Sequence, residues 1–451
     1  MASTRRSSPP DASAVAAAVT AALATLDVAP RPWVVALSGG RDSIALLDAA
    51  AAVARARAQP LAAVHVHHGL SPNADAWAAF CEVRAAAYGV PCVVARVNVV
   101  RAARRSVEAE ARRLRYAALS TEARRLGARA VLLGHHRDDQ AETLLLQLLR
   151  GAGPHGLAAM PAVRTDSDGV AWLRPLLGVA RADIDAYCTE RGLAHVDDES
   201  NGDARHARNA LRHRALPALA AIAPGCTQTL ARAAALQADA AALADDLADL
   251  DARDAVTDGT LDCAALSRLA PHRARNLLRA FLHGRGLPPP SQARLGAMLA
   301  QLAATRRDAR VRLAHAGAEI GVYRGRVVVH APPPPPYERA WRGERLLALP
   351  HGQLAFEGTT DGGLDVARLR GRAIVVRSRQ GGERLTLDRS GPRRTLAHVL
   401  QHAAVPAWER DALPLVFCDG ELAAVPGVGV DVRFRAAPGA DGVGLVWTPG
   451  A

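Results

Sequence analysis

Three short polar segments hold the side chains that can do chemistry. The first is Ser38-Gly39-Gly40-Arg41-Asp42-Ser43. An apolar, β-branched run, Val34-Val35-Ala36-Leu37, leads into it, and Ile44-Ala45-Leu46-Leu47 follows, so it reads as a tight turn between a strand and a helix. Gly39 and Gly40 let the backbone bend with its N–H groups turned inward, a nest for anionic oxygens. The helix start offers further unpaired amides and a positive dipole end to the same anion. Ser38 and Ser43 add hydroxyls. A carboxylate beside a phosphate is unusual, and Asp42 there either orients the loop or works through Mg²⁺. No Lys follows, which excludes the Walker loop.

The second segment, His67-His68-Gly69, follows another strand, and the third runs from Gly134 to Gln140 with Glu142 behind it. Asp139 and Glu142 are three apart and share one face of a helix. Two carboxylates there can hold Mg²⁺ against a nucleotide, bind a cationic substrate or accept a proton; equally, Asp can cap the helix while Glu favours its dipole. Arg208 and Arg212 lie four apart and can face one side, where they would offset charge on a transferring phosphoryl group, unless they merely line a solvated face. His67, His68, His135 and His136 do not read as zinc ligands, since two adjacent pairs rarely aim four imidazoles at one centre.

The elements around these segments alternate. Helices are expected at 13–26, 43–58, 73–88 and 106–126, and strands before the glycine turn, at Leu61 to His67, Val90 to Val97 and Arg129 to Gly134. A further helix is entered at Asp138 or Asp139 and stopped by Gly151. Alternation of this kind implies a doubly wound parallel sheet, with ligands beyond the carboxyl ends of the strands, so the three segments should converge. Long Ala/Leu helices follow at 227–253 and 271–283, with Ser291 able to cap a third; Glu319 to Val329 reads as a hairpin, and Pro332 to Pro336 as a stiff linker. The remainder is Gly-rich and β-patterned with one helix at 394–403. The resulting division is a tail and lead-in helix (1–30), an α/β catalytic domain (31–216), a mostly helical domain (217–331), the proline linker (332–336) and a small α+β C-terminal domain (337–451).

At 451 residues the chain is too long for a single core. Its 56 Lys+Arg residues are all Arg, which closes off Schiff-base and Lys-nucleophile chemistry. The net charge of +12 points to an anionic partner, nucleic acid first. Ten arginines fall within 368–410 against Glu383, Asp388 and Glu409. The six cysteines form no Cys-x-x-Cys and suit a reducing cytoplasm, and no apolar run approaches a membrane span.

The glycine segment resembles the PP-loop of the ATP pyrophosphatases. The wider pattern is similar to the tRNA(Ile)-lysidine synthetase family: Val-His-Val-His-His-Gly-Leu (64–70), Glu-Ala-Arg-Arg-Leu-Arg-Tyr (110–116), Gly-His-His-Arg-Asp-Asp-Gln-Ala-Glu-Thr (134–143), Arg-Gly-Ala-Gly-Pro-His-Gly-Leu (150–157), Arg-Pro-Leu-Leu (174–177), Asp-Glu-Ser-Asn (198–201) and Arg-Asn-Ala-Leu-Arg (208–212) occur in the family's order. Gly381-Gly382-Glu383 and Pro406 to Asp411 resemble its C-terminal module. His206 departs from the family's usual Tyr, and Arg replaces Lys in the basic module.

The resemblance implies a ligase. It adenylates the C2 oxygen of the wobble cytidine of tRNA(Ile) with a CAU anticodon, releasing pyrophosphate from ATP; the ε-amine of free L-lysine then attacks C2 and displaces AMP. Ser38, Gly39, Gly40, Arg41, Asp42 and Ser43, with His67 and His68, would hold ATP. Asp42 and Asp139 would manage Mg²⁺. Arg208 and Arg212 would offset developing charge, and Asp139 and Glu142 would attract the lysine amines. Arg377, Arg379, Arg384, Arg393 and Arg394 would bind tRNA. The family reading places the enzyme in the cytoplasm and leaves the oligomeric state open, a homodimer included. The alternatives are another PP-loop tRNA-modifying enzyme that thiolates cytidine, whose usual Cys-x-x-Cys is missing, and a non-catalytic RNA-binding protein, against which the intact Asp42, Asp139 and Arg208 speak.

Overall fold

The computed structural model describes residues 10–26, 31–99, 107–197, 207–303, 311–403 and 405–450. Asp198 to Asn201 and His206 lie outside these residues. The chain divides into two compact units, Met1–Leu243 and Ala244–Ala451.

The first unit is built on a six-stranded sheet in the order β3-β2-β1-β4-β6-β5. Its strands are β1 (Trp33–Ala36), β2 (Leu61–His67), β3 (Cys92–Arg96), β4 (Ala130–Leu132), β5 (Val163–Thr165) and β6 (Ala171–Leu173). All neighbours are parallel except β5, which runs antiparallel to β6 at one edge. Val34, Ala36, Ala62 and Val64 meet Leu119 and Ala123 of α4 (Val107–Arg125) on one face. Val35, Leu37 and Ala63 meet α1 (Ser13–Ala24), α2 (Arg41–Ala56), α3 (Ala74–Ala86) and α7 (Arg181–Glu190) on the other. Both faces are covered, which is why these strands read as unbroken apolar runs. The order reverses between β1 and β4, and two polar segments leave the sheet there: the glycine loop into α2, and Gly134–His136 into α5 (Arg137–Leu149).

Buried Asp48 of α2 accepts from the phenols of Tyr88 (2.9 Å) and Tyr187 and pairs with Arg191 Nε at 2.6 Å, so three segments are tied at one carboxylate. After the short α6 (Pro154–Leu157), α7 and α8 (Ala207–Ala210), the helix ladder widens into a π segment, Leu211–Ala215, before α9 (Leu216–Ile222) and α10 (Cys226–Ala255).

The second unit takes in the end of α10 and the helices α11 (Cys263–Arg268), α12 (Pro271–Gly284) and α13 (Gln292–Ala303). Ser291 caps the last of these, its Oγ accepting from Arg294 N at 3.3 Å. The helices pack on a sheet ordered β7-β8-β11-β10-β9: Val256–Thr257, Thr260–Asp262, Arg326–His330, Ala318–Tyr323 and Arg312–His315. The expected hairpin is thus the centre of a five-stranded sheet. Beyond the prolines lie a second five-stranded sheet, a four-stranded sheet and the ribbon Arg384–Leu385 with Arg394–Thr395. The helix expected at 394–403 is Leu396–His402, and two more short helices, Val366–Leu369 and Ala407–Ala412, join it. Across the prolines, Trp408 stacks on His330 (4.8 Å, 10°) and Asp411 pairs with Arg312 at 2.6 Å.

Candidate active site

The loop after β1 is held by its own hydroxyls. Gly39 takes φ +86, a left-handed value open to glycine at little cost. Ser38 Oγ donates to Ser43 Oγ at 3.1 Å, Ser43 Oγ donates to Gly40 O at 2.8 Å, and Ser38 N donates to Ser43 Oγ at 3.2 Å. Gly40 caps α2, and the amides of Gly39, Arg41 and Asp42 meet no protein acceptor among the described residues. Unpaired amides at a helix start are what an anion nest requires. Gly134, at the end of β4, lies against this first turn: a Cβ there would stand 3.2 Å from Asp42 C, Asp42 O and Ser43 N.

The helix carrying the acidic pair begins earlier than expected. Its cap is His136, not Asp138 or Asp139, and Asp139 Oδ2 reaches back to accept from His136 N at 3.1 Å. A capping carboxylate can also do chemistry if its other oxygen faces the site. His136 is 1% exposed. Its Nε2 lies 3.5 Å from Asp139 Oδ2 and 3.7 Å from Asp42 Oδ2, and its Nδ1 lies 3.8 Å from Asp138 Oδ2. One imidazole therefore joins the two polar segments at the sheet's switch point. Burial holds the Asp42 carboxyl above its usual range despite His136. Burial acts on Asp139 in the same direction, but His136 and Arg208 outweigh it and leave that carboxyl below its usual range.

Glu142 is fully buried. Its Oε2 accepts from Arg208 Nε at 2.8 Å and its Oε1 from Arg212 Nε at 2.6 Å. Arg212 Nη2 also donates to Asp139 Oδ1 at 3.2 Å, while Arg208 Nη2 donates to Thr143 Oγ1 at 3.2 Å and Asp139 O at 3.3 Å. Arg212 lies in the π segment, and its guanidinium and that of Arg208 converge on one carboxylate. Glu142 is expected to attract the lysine amine; both of its oxygens already accept from arginines, so an ammonium would share or displace one of those bonds.

Comparison with known proteins gives a PP-loop domain over residues 13–219, a TilS substrate binding domain over 261–328 and a TilS substrate C-terminal domain over 374–447. The tRNA(Ile)-lysidine synthase of Nitrosomonas europaea is 39% identical over 92% of this chain and 91% of its own. Those of Ralstonia nicotianae and Chromobacterium violaceum are each 43% identical, over 92% and 90% of this chain and 92% and 93% of theirs. The chain belongs to the tRNA(Ile)-lysidine synthase family. Its PP-loop domain supports the use of ATP.

Other residues that the family reading assigned stand elsewhere. The guanidinium of Arg41 is bonded to Asp185 of α7 and not turned into the nest. His67 Nε2 lies 3.3 Å from Asp75 Oδ1 and 3.3 Å from Arg96 Nη1, so it is engaged beside β3 and does not contact the glycine loop. His65, on the same strand, has its Nδ1 3.0 Å from Leu37 O, just before the glycine loop, and 3.3 Å from Cys81 Sγ. A histidine inside a strand of apolar neighbours was the signal for it. His68 has its Nδ1 buried without a partner among the described residues, and burial, with Arg115 adding to it, lowers its pKa.

In the C-terminal module, Arg377 lies over the Phe417 ring at 3.9 Å, and Arg379 stands 3.7 Å from Glu383 and 3.9 Å from Asp411. Both are part of the fold. Arg384, Arg393 and Arg394 are exposed along the two-stranded ribbon. The five arginines assigned to tRNA thus separate into two that pack and three that face solvent.

Proposed function

We propose that the chain makes lysidine. It adenylates the wobble cytidine of tRNA(Ile) carrying a CAU anticodon, and the ε-amine of free L-lysine then displaces AMP. The observation that carries this reading is that Asp42 and Asp139 meet at His136, beside the glycine loop, while Arg208 and Arg212 converge on Glu142 and Arg212 reaches Asp139, in a chain of this family.

The amides of Gly39, Arg41 and Asp42, with the hydroxyls of Ser38 and Ser43, hold the leaving pyrophosphate. Asp42 and Asp139 flank one imidazole and offer only oxygen donors, a set that fits Mg²⁺. When bound there, Mg²⁺ would neutralise phosphate oxygens. Glu142 fixes Arg208 and Arg212, whose Nη1 groups meet no protein acceptor among the described residues. A guanidinium has five donors, so each keeps some for phosphoryl oxygens on which charge grows. The attacking amine, with an ordinary pKa of about 10.4, must arrive neutral, and the buried surroundings of His136 and Glu142 favour that form. The target base must be splayed out of its loop to reach these groups. The exposed Arg384, Arg393 and Arg394 bind tRNA phosphates.

The test is incorporation of radiolabelled lysine into tRNA(Ile) transcripts that differ only at the wobble base. Label should enter the cytidine transcript alone and require ATP, with AMP released one for one. Incorporation indifferent to the wobble base, or independent of ATP, would overturn the reading.

A further inference from the structure

Within Ser38–Ser43, Arg41 has the one long charged side chain, and that side chain is turned toward α7. It bonds Asp185 through Nη1, donates from Nε to His195 Nε2 at 3.4 Å and approaches Asp197 Oδ1 to 3.9 Å with Nη2. One cation meeting two carboxylates adds no net positive charge to the phosphate nest. The same segment that supplies His195 and Asp197 lies directly on the glycines. Val196 N donates to Gly39 O at 2.9 Å. A Cβ on Gly39 would stand 3.6 Å from Val196 Cγ2, and one on Gly40 would stand 3.9 Å from Val196 O. Cys188 Sγ, on α7, reaches Arg41 O at 3.9 Å. Side-chain and main-chain contacts from one stretch of chain, residues 185–197, therefore close over the outer side of the turn whose inner side faces the nucleotide.

We infer that the Arg41 side chain is a positioning group: it clamps α7 and residues 193–197 onto the glycine loop, fixing the loop's shape for ATP, and its guanidinium is not a phosphate ligand. This rests on the glycine loop being the ATP site. A loop held in its bound shape before the nucleotide arrives does not lose conformational freedom on binding. Loss of the clamp therefore weakens ATP binding while leaving the rate of the bound complex nearly alone. The clamp is partly exposed, with Arg41 and Asp185 side chains at 25% and 44%, so its effect is modest.

The experiment is a double-mutant cycle on the full chain with R41Q, D185N and both. The readouts are KM for ATP and kcat for AMP release in the presence of tRNA and lysine, together with hydrogen exchange of peptides covering 36–45 and 193–197. Each single variant should raise KM for ATP about two- to fivefold, the factor expected of a partly exposed ion pair, with kcat within about twofold. The double variant should be no worse than either single, and exchange in both peptides should rise in all three. D185N binding ATP like the parent while R41Q does not would make Arg41 a phosphate ligand and overturn the inference. Multiplying effects in the double variant would overturn it too. Failure of the unaltered chain to release AMP at all would instead count against the ATP reading itself.

Discussion

Glu142 accepts a hydrogen bond from Arg212 Nε at 2.6 Å in a place with no solvent exposure, and it shares its other oxygen with Arg208. A buried carboxylate that fixes two cations has a different role from one that receives a substrate amine. Glu142→Gln weakens three charge-assisted bonds and frees both guanidiniums to wander. The expected outcome is a fall in kcat of about 100-fold or more, with KM for lysine changed far less. Steady-state AMP release against lysine concentration measures both. A variant whose defect lies mainly in KM for lysine would show that Glu142 holds the amine itself.

Gly134 is as demanding a position as the glycines of the loop. Its missing Cβ leaves room for the main chain of Asp42 and Ser43 at 3.2 Å, and backbone cannot swing aside as a side chain can. Gly134→Ala should destabilise the first unit by about 1–3 kcal/mol and lower ATP turnover, because the strain falls on the first turn of α2. Urea unfolding together with ATP saturation curves checks this. Full stability with normal turnover would show that β4 has slack at its end.

His65 and His68 are both held below the ordinary histidine pKa, chiefly by burial. The unfolded chain takes up their protons as pH drops below about 6.5, and the folded chain resists. Their contribution to stability is therefore complete above about pH 6.5 and is lost as pH falls through the lowered folded values. The urea midpoint should decrease from pH 7 to pH 5. His68→Asn should make that decrease shallower. A midpoint that stays level or rises over this range in the parent would refute the assignment.

Exposed Arg393 and Arg394 should bind tRNA phosphates, while Arg379, between Glu383 and Asp411, should not. Filter binding over a salt series separates them. Reversing Arg393 and Arg394 to Glu should weaken binding and reduce the slope of log K against log salt by about 0.7–0.9 for each phosphate that is no longer neutralised. Arg379→Ala should lower the melting temperature and leave that slope alone. Equal slopes for all three proteins would mean that the ribbon does not touch RNA.

The parts that could be read from the sequence are those set by local chemistry. Gly39 announces a left-handed turn, Leu61–His67 is an apolar strand found at its expected ends, and the spacing of Asp139 and Glu142 puts them on one helix face. The parts that could not be read depend on distant partners. Arg41 and Asp185 are 144 positions apart, and nothing near Arg41 says that α7 will claim its side chain. Arg377 and Arg379 looked like members of a charge cluster until Phe417 and Asp411 folded against them. The π turn at Leu211–Ala215 has no compositional mark, and strands of two or three residues, such as Val256–Thr257 and Thr260–Asp262, carry too little alternation to notice.

The contacts made by Trp408 and Asp411 across the proline run bear on how the chain can be cut. A protease that nicks Pro332–Pro336 severs one covalent connection but leaves the Trp408–His330 stack and the Arg312–Asp411 pair in place, so the fragments should stay together on a sizing column until denaturant is added. Ending the chain at residue 336 does more than remove the basic ribbon. It strips the indole from His330 and Tyr323 and leaves Arg312 without Asp411. A shortened enzyme that aggregates would then be reporting a bared aromatic seam, whatever the arginines do.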